Sequence, residues 1–561
     1  MIRQTSMTSW PGLKRALGGL TVALAICLPC VAAAQPSEAP VVQAPAGPVR
    51  GEAADGVNVF RGVPYALPPT GWRRWRAPAE MPRWRETRDA SRFGAACHQP
   101  VARGQSIYAG EAPTMSEDCL FLNIWAPADA RKAPVFVWIH GGALTTGSSS
   151  EAMYDGARMA AAHGMVVVSI NYRLGVLGYL AHPELSAESR RKVSGNYGLL
   201  DQIAALEWVK ANIEAFGGDA GKVTIAGESA GALSVMYLMA APQARGLFHR
   251  AIAQSAYMIS TPELRSSRHG DFAAETVGLW VQAQMGQADL AGLRGMDAQA
   301  LTTTALAKGY SPWGTIDGEV LPEQLVEIFD RGRQAPVPLL TGFNAGEIRS
   351  LPILLPPAPP TDAAAYEQAI REKYGVLSDL FLKLYPSSDL KESYLATPRD
   401  GLYGWTSERL VRRQARTGQP GYLYFFDHAY PAADAADLHA FHAAEIPYVF
   451  GTSDRTPPRW PAIPDTAEER ALSAAMMAYW ASFARDGAPA APGQADWPAY
   501  GEDRRYMAFE ARPTARRELM PGMYELHETV VCRRRAAGGI PWNWNFGVLS
   551  PPLPPEAPAC S

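Results

Sequence analysis

A run of β-branched and small residues, Val223-Thr224-Ile225-Ala226, passes through Gly227-Glu228-Ser229-Ala230-Gly231 directly into the helix-forming stretch Ala232-Leu233-Ser234-Val235-Met236-Tyr237-Leu238. A strand can become a helix within five residues only where side chains leave the turn unobstructed. Glycine therefore stands at both flanks, and the serine is left exposed above a helix N-terminus. The neighbouring chain keeps the same rhythm. Pro134–Ile139 and Met165–Ile170 are short apolar runs that read as strands buried on both faces. Leu199, Ile203, Leu206, Val209 and Ile213 recur at three- and four-residue steps, predicting an amphipathic helix over Leu200–Ala215 that Gly217-Gly218 stops. Strands alternating with helices from about 133 to 260 specify an α/β fold around a mostly parallel central sheet flanked by helices. Further strands are predicted at Pro336–Thr341 and Tyr422–Phe426, with helical insertions around 262–310 and 362–418 over the cleft. Residues 352–362 form a Pro-rich break.

Composition narrows the function. Of 561 residues, 47% are hydrophobic and 19% charged, which suits a folded chain rather than a disordered one. Lys and Arg number 52 against 55 Asp and Glu, so there is no positive excess to hold a nucleic-acid backbone. Residues 1–34 carry Arg3, Lys14 and Arg15, an apolar run from Leu17 to Val31, then Ala32-Ala33-Ala34. This is the pattern of a secretory signal peptide, and it predicts export to a periplasm or the medium, with no membrane insertion after cleavage. The alternative, a permanent anchor, is opposed by Gly18, Gly19 and Pro29, which interrupt a short stretch. A lipid-modified cysteine at Cys27 or Cys30 lacks the small preceding residues such a site needs.

Cleavage leaves four cysteines, and an even count in an exported chain reads as two disulfides. Cys97 with Cys119 would close a short loop, and Cys532 with Cys560 would clip down the tail, the alternative for the second pair being two free thiols. Residues 35–50 are read as a Pro/Ala-rich extended lead-in, 51–535 as the α/β domain and 536–561 as a Pro-rich extended tail.

A serine oxygen becomes a good nucleophile only when a base removes its proton, and the base needs an acid to orient it. His439 and His442 lie beyond the last predicted parallel strand. Small residues follow His442, so a loop can bring its imidazole close, whereas His439 follows Asp437 and reads as a solvated loop residue. Glu347, six residues beyond the predicted strand Pro336–Thr341, is the candidate acid, or else a surface carboxylate paired with Arg349. A developing oxyanion needs backbone N–H donors. Ala230 offers one, and His140-Gly141-Gly142-Ala143, after the strand ending at Ile139, offers Gly142 and Ala143. No metal or organic cofactor is expected, because no His/Asp/Glu cluster has metal-ligand spacing.

Phe216-Gly217-Gly218 followed by Val223–Gly231, and Glu117-Asp118-Cys119-Leu120-Phe121-Leu122-Asn123-Ile124-Trp125-Ala126-Pro127, closely resemble the two signatures of the type-B carboxylesterases, the cholinesterase-like branch of the α/β-hydrolases. Asn171-Tyr172-Arg173, Gly195–Leu199 and Trp497-Pro498 are similar to further landmarks, so the resemblance runs from about 50 to 510. It implies an α/β-hydrolase fold and a serine hydrolase that cleaves carboxylic esters of small molecules through an acyl-serine. It places the nucleophile on Ser229, the acid on Glu347 and the base on His442, with Ser255 and Glu228 as supporting residues and the first disulfide on Cys97 and Cys119. Amide or thioester cleavage would use the same groups. A binding or adhesion protein on this scaffold would lack part of the triad, and all three positions are filled here. Two departures bear on specificity. Ala143 replaces the third glycine of the oxyanion loop, and the loop between the first two cysteines holds Tyr108 but no Trp to grip a quaternary ammonium. Choline esters are therefore not expected as substrates. Leu144, Trp313 and residues 352–362 are candidate pocket walls, or else plain packing.

Overall fold

The computed structural model describes residues 39–101, 106–351, 354, 362–543 and 545–560. Its strands are β1 (Val41–Ala44), β2 (Gly47–Arg50), β3 (Glu52–Ala54), β4 (Val57–Pro64), β5 (Arg88–Asp89), β6 (Phe121–Pro127), β7 (Ala133–Ile139), β8 (Val166–Ile170), β9 (Gly218–Glu228), β10 (Arg250–Gln254), β11 (Leu339–Asn344), β12 (Gly421–Phe426), β13 (Arg505–Phe509) and β14 (Pro513–Arg517). Eleven of them form one sheet in the order β14-β13-β12-β11-β10-β9-β7-β8-β6-β4-β3. The block from β13 to β8 is parallel, and antiparallel strands flank it on both sides. Every residue of β7 and β8 is buried, as both-face coverage by helices requires. This is the mostly parallel α/β architecture expected from the sequence.

The chain leaves β7 toward β8 on one side and returns to β9 on the other, so β7 and β9 are neighbours across a point where the winding reverses. Such a point opens a crevice at the carboxyl ends of the strands. The serine turn sits there. The helix after it, Ala230–Ala240, is buried along its whole length, because its residues are apolar or small on every face.

Several boundaries differ from the sequence reading. The helix predicted over Leu200–Ala215 runs Tyr197–Asn212 and tightens into a 3-10 turn, Ile213–Phe216, before Gly217 ends it with φ 84°. The strand predicted at Pro336–Thr341 begins only at Leu339, since Pro336 and Pro338 carry no N–H for the ladder, and it continues to Asn344. The lead-in 35–50 is not a bare extended segment, for β1 and β2 pair as a hairpin around Pro45-Ala46. The tail is also more than an extended strip. Its first residues complete the helix Met523–Ala537, Trp542 is fully buried, and 3-10 turns form at Gly547–Leu549 and Pro558–Cys560.

Both disulfides are formed, Cys97 with Cys119 and Cys532 with Cys560. The first closes a separation of 22 residues, which restricts the unfolded chain by about 3 kcal/mol in the loop-entropy description. The predicted helical insertions are present as Ala274–Gln284, Leu290–Gly295 and Ala298–Ala307, and as a second group from Ala363 to Ala415. No helix among the described residues is long and apolar enough to cross a membrane. The signal-peptide reading of residues 1–34 and most of the 352–362 segment lie outside the described residues.

Candidate active site

The turn after β9 demands its glycines. A Cβ on Gly231 would stand 2.1 Å from the Ile139 carbonyl oxygen, and one on Gly227 would stand 2.5 Å from the Gly231 carbonyl carbon. With no side chain at either place, the helix N-terminus packs onto the end of β7. Ser229 takes up the bend with φ 57° and ψ −120°, a backbone state costly for a non-glycine residue. Its N–H donates to the Gln254 carbonyl at 2.9 Å and its own carbonyl accepts from Leu233, which holds the strained turn in place. Between buried neighbours, Ser229 is partly exposed.

The other groups arrive from the ends of adjacent strands. Ser255 follows β10, Glu347 lies three residues beyond β11, and His442 lies in the loop after β12. Glu347 is fully buried, and both its oxygens are engaged. Oε1 accepts from Ser255 Oγ at 2.6 Å and from the Asn344 N–H at 2.8 Å, while Oε2 pairs with His442 Nδ1 in a short contact. The loops that carry Glu347 and His442 are zipped together, since the Gly346 N–H donates to the Ala440 carbonyl and Asn344 Nδ2 to that of Phe441, each at 2.8 Å. His439 is placed elsewhere. Its Nδ1 meets Asp434 Oδ1 at 2.6 Å on a half-exposed surface, as expected of a solvated loop histidine.

His442 is thus enclosed by two carboxylates. Nδ1 faces Glu347, and Nε2 lies 3.0 Å from Glu228 Oε1, a close ionic contact whose orientation does not make a hydrogen bond. Among the described residues Nε2 makes no hydrogen bond to Ser229 Oγ; in a site without substrate, such bonds are commonly long and tighten when the reactant is bound. Burial alone would lower the imidazole pKa, but Glu228 and Glu347 outweigh it and hold the pKa well above the ordinary histidine value. Glu228, buried beside Ser229, is itself pushed up, by desolvation first. Glu228→Gln removes one of the charges that favour the imidazolium. With His442 as the candidate base, its neutral imidazole then persists to lower pH, and the acid limb of kcat/KM is expected to move down by about one pH unit. A pH–rate profile checks this.

The candidate oxyanion loop follows β7. Gly142 and Ala143 are exposed, Gly142 with φ 99° and Ala143 with φ 54°. Among the described residues, the N–H groups of Gly142, Ala143 and Ala230 donate to no protein acceptor and so remain available to a ligand oxygen. Gly141 presses against the serine, for a Cβ there would lie 3.3 Å from Ser229 Cβ. Leu144 is wholly buried in the core, the packing alternative, whereas Trp313 is only partly buried.

Sequence reasoning assigned nothing to Glu445, Gln254 and Asn344, which form a buried layer behind His442. Glu445 accepts from Gln254 Nε2 at 2.9 Å and from Asn344 Nδ2 at 2.7 Å, and burial pushes its carboxyl up to about 7. The available signal was the position of Glu445, three residues after His442. No group of three or more His, Cys, Asp or Glu among the described residues is placed to hold a metal ion.

The profile of the carboxylesterase family matches residues 38–526. The chain is 36% identical over 483 residues to the fumonisin B1 esterase of Sphingopyxis macrogoltabida, covering 82% of this chain and 85% of that one. It is 35% identical to the para-nitrobenzyl esterase of Bacillus subtilis, covering 82% and 92%. A solved PNB esterase structure superposes with a TM-score of 0.73 at 31% identity, over 87% of this chain and 99% of the other. On fold, signatures and overall likeness together, the chain belongs to the type-B carboxylesterase family and is a carboxylic ester hydrolase.

Proposed function

We propose that hydrolysis runs through an acyl-enzyme on Ser229. Ser229 Oγ attacks the ester carbonyl carbon as His442 Nε2, the ring nitrogen not committed to Glu347, takes its proton. Glu347 fixes the ring through Nδ1 and stabilises the imidazolium, and Ser255 steadies Glu347. The carbonyl oxygen becomes an oxyanion that accepts hydrogen bonds from the N–H groups of Gly142, Ala143 and Ala230. The imidazolium returns its proton to the departing alcohol. Water, deprotonated by His442, then attacks the acyl-serine, and the acid is released as the serine regains its hydrogen.

The observation that carries this reading is the continuous buried chain Ser255–Glu347–His442, whose imidazole Nε2 lies against Glu228, the residue before a partly exposed, strained serine. Small-molecule carboxylic esters are the substrates it suits. The Ala143 methyl, exposed where a third glycine would carry a hydrogen, leaves less room for bulky alcohols. Thioesters and amides call on the same groups, and leaving-group preference rests with the pocket walls. We place the enzyme in an exported, oxidising compartment, supported by the leader pattern of residues 1–34 and by two disulfides.

A series of p-nitrophenyl esters of increasing acyl length tests the function. Turnover with a maximum at one chain length is expected and sizes the acyl pocket. No hydrolysis of any member by a folded protein would contradict a general esterase.

A further inference from the structure

The loop closed by Cys97 and Cys119 touches the site from two sides. Gln99, two residues past the first cysteine and buried, faces Gly147, the residue where the oxyanion loop folds back. The Gly147 N–H donates to Gln99 Oε1 at 2.9 Å, and Gln99 Nε2 donates to the Gly147 carbonyl at 2.9 Å. The side-chain amide thus pairs with the loop as a strand would. Gly147 is itself tight against that loop, for a Cβ on it would lie 2.4 Å from His140 Nδ1 and 2.7 Å from the Gly141 carbonyl oxygen. Holding Gly147 therefore holds Gly141 and Gly142.

Farther along the same loop, Tyr108 Oη lies 2.9 Å from the His442 carbonyl oxygen and 2.6 Å from Ser350 Oγ. A carbonyl can only accept, so the single phenolic hydrogen goes to His442, and the serine hydroxyl supplies the hydrogen of the second bond. Ser350 is three residues beyond Glu347, so one phenol ties the acid loop to the base loop. The Tyr108 ring packs edge-on against Trp460 with centroids 5.8 Å apart, which fixes its direction. The aromatic residue of this loop is therefore committed to the backbone of His442.

We propose that the Cys97–Cys119 loop is a brace for the reaction, in which Gln99 and Tyr108 are positioning residues, one for the oxyanion donors and one for the base. The proposal rests on the Ser229–Glu347–His442 reading. Displacements of a fraction of an ångström at donors or base cost rate, whereas ground-state binding is little affected. The two variants should differ in kind. Tyr108→Phe keeps the ring and loses both hydrogen bonds. It should lower kcat about 10-fold with KM within about 2-fold, and it should also shift the acid limb to lower pH, because a loosened His442 is less firmly held between the carboxylates that raise its pKa. Gln99→Met should lower kcat about 10-fold with the acid limb unmoved, since the imidazole is not touched.

The test is kcat, KM and the pH profile of the full-length enzyme and both variants on p-nitrophenyl acetate, with thermal midpoints and Ser229→Ala alongside. A kcat-only loss in both variants, with the limb shifted only by Tyr108→Phe, supports the brace. Wild-type kcat per folded molecule and an unmoved limb in both, even at a lower midpoint, would make the loop purely structural and overturn it. A Ser229→Ala that still turns over would instead overturn the nucleophile assignment on which the brace depends.

Discussion

Ser229→Ala is expected to lower kcat by roughly 10⁶-fold, the scale seen when a triad nucleophile is removed, with the unfolding midpoint almost unchanged. The two halves of this expectation have separate origins. Among the described residues the serine side chain makes no hydrogen bond, and its backbone contacts to Gln254 and Leu233 survive the change. Alanine would occupy the same strained backbone at φ 57°, so the turn is neither relieved nor further burdened. What disappears is the oxygen that carries the acyl group in the proposed mechanism. Kinetics on p-nitrophenyl acetate, paired with thermal unfolding, separates loss of chemistry from loss of fold.

Glu347→Gln is expected to lower kcat by roughly 10⁴-fold. The carboxylate accepts three hydrogen bonds, from Ser255, from the Asn344 N–H and from His442 Nδ1. An amide of the same shape has one acceptor oxygen and one donor nitrogen. With the oxygen kept toward Ser255 and Asn344, the NH₂ meets Nδ1, and the ring must place its hydrogen on Nε2, the nitrogen that should receive the serine proton. The tautomer is then wrong for a base, and the imidazolium loses its partner. Full exposure of such a carboxylate would dilute the effect, but Glu347 is completely buried. Steady-state kinetics at several pH values should show the loss in kcat, and raising the pH should not restore it.

The local parts of this site are legible in the chain because they are written in consecutive residues. Gly227 and Gly231 announce the turn by their spacing, and the apolar runs of β7, β8 and β9 announce the parallel sheet that carries it. The acid was harder to place. The apolar run before it reads as a strand ending at Thr341, but Pro336 and Pro338 shift the ladder three residues on to Leu339–Asn344, so Glu347 looked more distant from the sheet than it is. Of the layer behind His442 the chain offered only the position of Glu445, because Gln254 and Glu445 are 191 positions apart and meet only when β10 and the loop after β12 are brought together. Tyr108 shows a similar limit. From sequence it registers as the lack of a tryptophan, and only the fold reveals that its hydroxyl is spent on the His442 carbonyl, 334 positions away. The hairpin β1–β2 escaped notice because two four-residue strands joined by Pro45-Ala46 are too short for alternation to stand out.

The most direct test of the acyl-serine mechanism is the fate of the acyl group itself. Rapid mixing of the enzyme with p-nitrophenyl acetate, followed by acid quench and peptide mapping by mass, should give a burst of nitrophenolate approaching one per enzyme and an added acetyl group on the peptide that contains Ser229. A single linear phase with no acetylated peptide, or the acetyl group found on another residue, would contradict it.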